Sequence, residues 1–262
     1  MDKILLQTTG LKKSFPVGGS LIEVLKGINM QVKQGEFVII FGPSGCGKST
    51  FLHTLLGLEP PTEGKVFFAG RDFYTLSEDE RALYRRDKVG MIYQQPLWIG
   101  ALNVLENTIF SLHLLNYDEK IMVDRAIKLL SNIGMEKWAY YKPTELSSGQ
   151  QQKIALVRAL MTDPILLVAD EPTGNLDTVS GQELLTVFMD LVKKGKTIVM
   201  VTHDLEYLKF ASKIFHIVDG KIVEEYSPKN RKHNRVRGKK EIDGDILESN
   251  VRDPNFLGKL KL

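Results

Sequence analysis

An α/β fold on a mainly parallel sheet is predicted by three features of this 262-residue sequence. Continuous apolar runs recur at residues 36–41, 165–169 and 197–201, the pattern of strands buried on both faces. Helical stretches lie between them, and an Asp-Gly pair closes a hairpin near residue 220. Strands that alternate with helices need crossover connections, which makes the sheet mainly parallel and covers it with helices.

Along the chain, residues 21–25 and 28–32 show the two-residue alternation of strands. The run 36–41, bounded by Gly35 and Gly42, reads as a buried strand, followed by a glycine-rich turn and a helix from Lys48 to about Gly57. Residues 89–93 form a further strand candidate. From about Pro96 to Leu160 the period is mostly helical, and Ile121, Arg125, Ile127, Leu129, Leu130 and Ile133 outline one amphipathic helix. The runs 165–169 and 197–201 flank a helix over about 179–193. Residues 214–218 and 221–225 pair as a hairpin, because Asp219-Gly220 supplies the positive φ values of a tight turn. No internal repeat is visible.

Hydrophobic residues at 43% and charged residues at 26% supply a real core and exclude general disorder. No apolar run approaches the ~18 residues of a membrane span, and Ile4-Leu5-Leu6 is too short for a signal peptide. A single cysteine, Cys46, excludes an intrachain disulfide and a cysteine metal cluster. The expectation is a cytosolic chain whose membrane role is peripheral. Residues 227–262 carry 10 basic and 5 acidic groups, which leaves 25 basic against 27 acidic in the body. The net charge of +3 is therefore no sign of a nucleic-acid-binding domain. The basic segment reads either as a solvated extension or as an electrostatic contact to an anionic membrane leaflet.

Gly42-Pro43-Ser44-Gly45-Cys46-Gly47-Lys48-Ser49 fits G-x-x-x-x-G-K-[ST], with a buried strand before it and a helix after it. Glycines let successive N–H groups curl toward one centre, and the helix adds its positive N-terminus, so the loop suits phosphate. Lys48 can reach the outer phosphates of a nucleotide, and Ser49 is placed for Mg²⁺.

The run 165–169 ends in Asp170-Glu171, which sets two carboxylates at the carboxyl edge of the sheet, where ligands bind in such folds. Asp170 can hold Mg²⁺ through water, and Glu171 can orient or deprotonate an attacking water. Either could instead serve as a turn or cap residue. Gln94 and His203 also follow strand candidates and can face the same edge; a buried structural role is the other reading of His203.

Leu146-Ser147-Ser148-Gly149-Gln150, followed by Gln151-Gln152-Lys153, resembles the signature of ATP-binding cassette (ABC) proteins. With the phosphate loop, Gln94, Asp170-Glu171, Asn175-Leu176-Asp177 and His203, the whole ABC set stands in order over roughly residues 4–226. The resemblance implies a P-loop NTPase core, an N-terminal antiparallel β subdomain and a helical subdomain inserted at about 96–160, with 227–262 as a basic extension. It implies ATP and Mg²⁺ as cofactors, Glu171, His203 and Gln94 as catalytic residues, and Ser49, Gln94 and Asp170 at the metal. The nucleotide would lie on residues 42–49 with Thr50, on Phe15 at the adenine, and on Ser147, Ser148, Gly149, Gln150 and Asp177. In the family, the signature caps the γ-phosphate held by the other subunit, so two ATP molecules are sandwiched in a head-to-tail dimer. Ser148 departs from the family's usual glycine, which implies a modestly altered affinity.

Residues 15–19, 76–80 and 171–177 look like the macrolide-exporter and lipoprotein-release branch, whose ATPases serve permeases with a large extracytoplasmic domain. The expected place is the cytoplasmic face of the membrane, in a homodimer or with a paired ATPase. A regulator of cell-wall cleavage that transports nothing is the alternative, and a soluble ABC ATPase a weaker one. Only 52 residues separate Gln94 from Ser147, too few for a chromosome-type coiled coil, and translation-type relatives carry two cassettes. Leu97, Trp98, Ile99, Leu102 and Val104 are more apolar than a wet loop needs. They either dock on the permease or pack inside the helical part.

Overall fold

The structure is a computed structural model that describes residues 3–227, so the basic run 229–240 and its expected lipid contact lie outside the described residues. In chain order the elements are β1 (Ile4–Val17), β2 (Ser20–Lys33), β3 (Phe37–Phe41), α1 (Lys48–Leu55), β4 (Glu63–Phe68), β5 (Arg71–Asp72), α2 (Glu78–Lys88), β6 (Val89–Tyr93), α3 (Val104–His113), α4 (Glu119–Asn132), α5 (Ser148–Leu160), β7 (Leu166–Asp170), α6 (Thr178–Lys193), β8 (Thr197–Thr202), β9 (Lys213–Val218) and β10 (Lys221–Tyr226). The described residues form two compact units, 3–77 with 200–227, and Glu78–Val199.

In the first unit, β2, β1, β4 and β5 build an antiparallel sheet in that order. The two alternating segments expected at 21–25 and 28–32 are one strand. The break between them is a kink at Gly27, φ +85°, which a residue with a Cβ would resist. β1 escapes sequence reading because its Gln-Thr-Thr-Gly-Leu-Lys-Lys stretch lacks clean alternation. Its order comes from pairing on both sides, with Leu6 opposite Val32 of β2 and Phe68 of β4. All five residues of β3 are buried. β3 runs parallel to β9, Phe41 beside His216, and β9 returns antiparallel as β10. The expected turn is there: Asp219 and Gly220 have φ +45° and +72°.

In the second unit, β6 and β7 run parallel, with Tyr93 beside Asp170. α3, α4 and α5 enclose a core of Val104, Leu112, Met122, Ala126, Leu130, Ile154 and Val157. The helix expected around residues 121–133 exists, but its buried stripe is Met122, Ala126 and Leu130, spaced four apart along one face. Ile121 is 58% exposed, and the Arg125 guanidinium donates to the Leu160 carbonyl. Ile127, Leu129 and Ile133 only flank the stripe. α2 buries no residue, and Glu78 at its start pairs with Arg81 and Arg85. Apolar periodicity could not have found it. Among the described residues no helix is long and apolar enough to cross a membrane.

Candidate functional site

In the first unit, β3 delivers the chain directly into the glycine-rich loop. A Cβ on Gly42 would lie 2.1 Å from the Ile217 carbonyl oxygen and 2.9 Å from Cys46 Sγ, so the strand can end here only in glycine. Gly45 and Gly47 take φ +79° and +101°, which curls the loop. Gly47 is also the N-cap of α1, and it provides no side-chain hydrogen bond to the helix. The helix thus begins without a capping side chain from its N-cap residue, an arrangement that suits an anion at its positive end. Lys48 is buried, and its ammonium donates to the carbonyls of Gly42 at 2.8 Å and Pro43 at 2.9 Å. Its charge therefore sits on the loop's own backbone. Pro43, Ser44, Gly45 and Ser49 are exposed, Thr50 is half-buried, and Cys46 is buried beneath them.

Phe15 lies on β1 opposite Ile22, half-buried, with the Lys13 ammonium 4.8 Å from its ring centroid. One face of that ring is already used by a cation. His203 follows β8 and is exposed, which removes the reading of a buried structural histidine.

In the second unit, Asp170 ends β7. Its Oδ1 is shut off from water and has no hydrogen-bond partner among the described residues. A buried carboxylate oxygen without a donor is costly, and a cation or its bound water would remove that cost. Glu171 follows with φ +49°, a left-handed conformation costing ~1 kcal/mol in a residue with a Cβ. Strained backbone of this kind gathers at functional positions. Gln94, just after β6, packs against Gly174, where a Cβ would lie 2.7 Å from its Nε2.

The start of α5 is fixed by a reciprocal cap. Ser147 Oγ accepts from the Gln150 amide at 3.3 Å, and Gln150 Oε1 accepts from the Ser147 amide at 3.0 Å. Both side chains hold the helix end, so the exposed Ser148 and the backbone are what α5 presents outward. Gly149 is buried, and a Cβ there would lie 2.9 Å from Ser180 Oγ. Ser180 in turn donates its amide and hydroxyl to Asp177, the N-cap of α6, at 2.9 and 2.8 Å. Those bonds, the amide first, hold the Asp177 carboxyl below the usual carboxylate range. Gly149 and Asp177 thus meet across one serine.

Sequence reading missed Gln152. It is 2% exposed, and its Nε2 donates to the carbonyls of Tyr93 and Gln94, each at 2.9 Å. Gln94, Ser148, Gln152 and Asn175 share the lining of a cavity of about 270 Å³. Its place on the face of α5 continued by the buried Ala155, Leu156 and Ala159 was the available signal.

The ABC transporter family model matches residues 25–174, more than half of the chain. The chain belongs to the ABC transporter family. The cassette is 44% identical over 220 residues to an ABC transporter ATP-binding protein of Methanocaldococcus jannaschii, MJ1508, covering 84% of this chain and 98% of that one. It is 43% identical to the lipoprotein-releasing system ATP-binding protein LolD of Aquifex aeolicus, over 78% of this chain and 91% of that one. To the macrolide export ATP-binding/permease protein MacB of Wolinella succinogenes it is 38% identical, covering 90% of this chain but 37% of MacB. The chain thus spans about a third of the length of the MacB relatives.

The fold matches the solved dimer of MJ0796, a bacterial ABC transporter cassette, with a TM-score of 0.79 and 37% identity over 85% of this chain and 98% of that one. MJ0796 has also been solved in a post-hydrolysis state with ADP and Pi. The expected P-loop NTPase architecture is therefore the observed one, and the chain is an ABC-family ATPase.

Proposed function

We propose that the cassette is the ATP-hydrolysing subunit of a bacterial exporter or mechanotransmission complex, closing as a dimer around two ATP molecules to drive a membrane permease. The observation that carries this is its likeness, at nearly full length, to the ATP-binding subunit of a lipoprotein-releasing system. MacB supports it, because there a cassette of this kind is joined to a permease in one chain. Residues 1–226 serve as the cassette, with 96–160 as its helical part and 227–262 as an appended basic segment that attracts anionic lipid.

The residues divide the chemistry. The amides of residues 42–49 and the Lys48 ammonium bind the phosphates, and Phe15 supports the adenine. When bound, Mg²⁺ supplies positive charge to the phosphate oxygens; Ser49, Gln94 and Asp170 would hold it, and the partnerless Asp170 Oδ1 fits that duty. Glu171 takes a proton from the attacking water, Gln94 and His203 orient that water and the γ-phosphate, and the start of α5 with Asp177 serves the ATP of the second subunit.

The deciding experiment is a partner capture. Tagged Glu171→Gln protein is loaded with ATP, extracted in mild detergent, and its co-purifying proteins are identified by mass spectrometry. A permease with a large extracytoplasmic domain supports the reading. Ribosomes, or no membrane protein at all, leave the ATPase standing and remove the transport role.

A further inference from the structure

The geometry points to Gly220, at the tip of the β9–β10 hairpin, as a positioning residue for the phosphate loop. This rests on reading residues 42–49 as that loop. The Gly220 amide donates to the Cys46 carbonyl at 3.1 Å, and the Gly220 carbonyl accepts from the Lys26 amide at 2.8 Å. One residue thus joins the middle of the loop to β2. Its neighbour Asp219 adds an ion pair with Lys26 at 2.7 Å.

The fit admits no side chain. Gly220 has φ +72°, and a Cβ on it would lie 2.2 Å from the Val24 carbonyl oxygen, a backbone atom that cannot swing away. The same oxygen is the nearest atom, at 3.0 Å, to a Cβ placed on Gly47. Val24 is therefore approached by the loop and by the hairpin tip together. At the loop's entrance, Gly42 stands against the Ile217 carbonyl, just beyond the end of β3 and near the end of β9. The loop is held at its entrance by β9, at its middle by Gly220 and at its exit by β2. A turn residue that shapes no ligand contact of its own sets where the Cys46–Gly47–Lys48 backbone stands, and loop amides bind phosphate only when pre-aimed.

The test uses the full chain and its single cysteine as a reporter. Cys46 is 7% exposed, so N-ethylmaleimide reacts with it only as the loop lifts. In Gly220→Ala, Cys46 alkylation is expected to speed up, and the ATP dissociation constant to rise, each by about tenfold, with kcat at saturating ATP within about twofold of the parent. Gly35→Ala is the control. Gly35 has φ +75° with no atom near a Cβ position, so it bears the same backbone strain away from the loop, and both readouts should stay at parent values. If Gly220→Ala matches Gly35→Ala in both, the proposal is overturned.

A Lys48→Ala variant separates the two layers. If it keeps full ATP affinity, the loop is no phosphate site and the proposal falls with it. If it loses affinity while Gly220→Ala changes only alkylation, the anchor is structural and the positioning role is overturned. Should Gly220→Ala fail to fold, hydrogen exchange at the parent's Gly220 amide decides. Reciprocal coupling requires ATP to slow it, and exchange unchanged by ATP refutes the role.

Discussion

The Gln152 side-chain amide donates to the carbonyl of Gln94 at 2.9 Å, and the same nitrogen serves the Tyr93 carbonyl. A residue one turn into α5 thereby fixes the backbone from which Gln94 projects. Any shift of α5 is felt at the end of β6 through this clamp.

Gln152→Leu keeps the bulk and removes both donors, leaving carbonyls short of a partner at a cost of ~1–3 kcal/mol. The melting temperature should fall. Turnover should fall further than stability alone explains, with ATP affinity retained, because Gln94 loses its fixed origin. Calorimetry and steady-state ATPase assays on one preparation check this. A variant with parental turnover would show that the clamp is packing and nothing more.

Glu171→Gln should lose about 10²–10⁴-fold in turnover, the usual share of a general base, while ATP binding persists. The left-handed backbone at this position is equally demanding for Gln, so stability should hardly move. Glu171→Gly should be just as inactive but relieved of the backbone strain. Single-turnover hydrolysis with thermal melts separates the two contributions. Near-parental turnover in Glu171→Gln would take the residue out of the base role.

The segment after Gln94 splits into two kinds of residue. Trp98 packs on the helical core, donates its indole N–H to Gln151 Oε1 at 2.8 Å, and lies under the Arg158 guanidinium at 4.6 Å. Val104 is fully buried. Leu97, by contrast, is 74% exposed. Trp98→Asp should therefore unfold the helical part and lower basal hydrolysis with it. Leu97→Asp should leave basal hydrolysis and the melting temperature unchanged, and weaken only stimulation by a co-expressed permease. Equal effects of the two substitutions on melting would contradict this division.

What sequence reading reached was what local chemistry dictates. The glycine-rich loop, the Asp-Gly hairpin and the strands over residues 37–41, 166–170 and 197–202 each carry their cause in consecutive residues. β1 was not legible because its order comes from two neighbours far along the chain. The stripe of α4 was misplaced because its central buried residue, Ala126, is a weaker hydrophobe than the neighbouring Ile127 and Leu129 that only flank it. Gln152 stayed hidden for a related reason. A buried polar side chain is explained only by the carbonyls it meets, and these lie 58 and 59 residues away.

His216 is 2% exposed and stacks on Phe41, with ring centroids 4.3 Å apart. Glu224 on β10 lies 3.5 Å from His216 Nδ1, too far for a good hydrogen bond, and it is itself bonded by the Tyr226 hydroxyl. Burial pushes the His216 pKa below its ordinary 6.5, and Glu224 opposes that only in part. Below about pH 6.5 the unfolded chain takes a proton that the folded chain refuses, so stability must fall as pH falls from there toward the depressed folded value. His216→Phe keeps an aromatic ring against Phe41 and removes the titration, so its stability should decline less between about pH 7 and pH 5. Glu224→Gln withdraws the attraction that favours the proton and should steepen the decline. Urea midpoints measured across that range give both slopes. Identical slopes in the parent and both variants would show that another group carries the acid sensitivity.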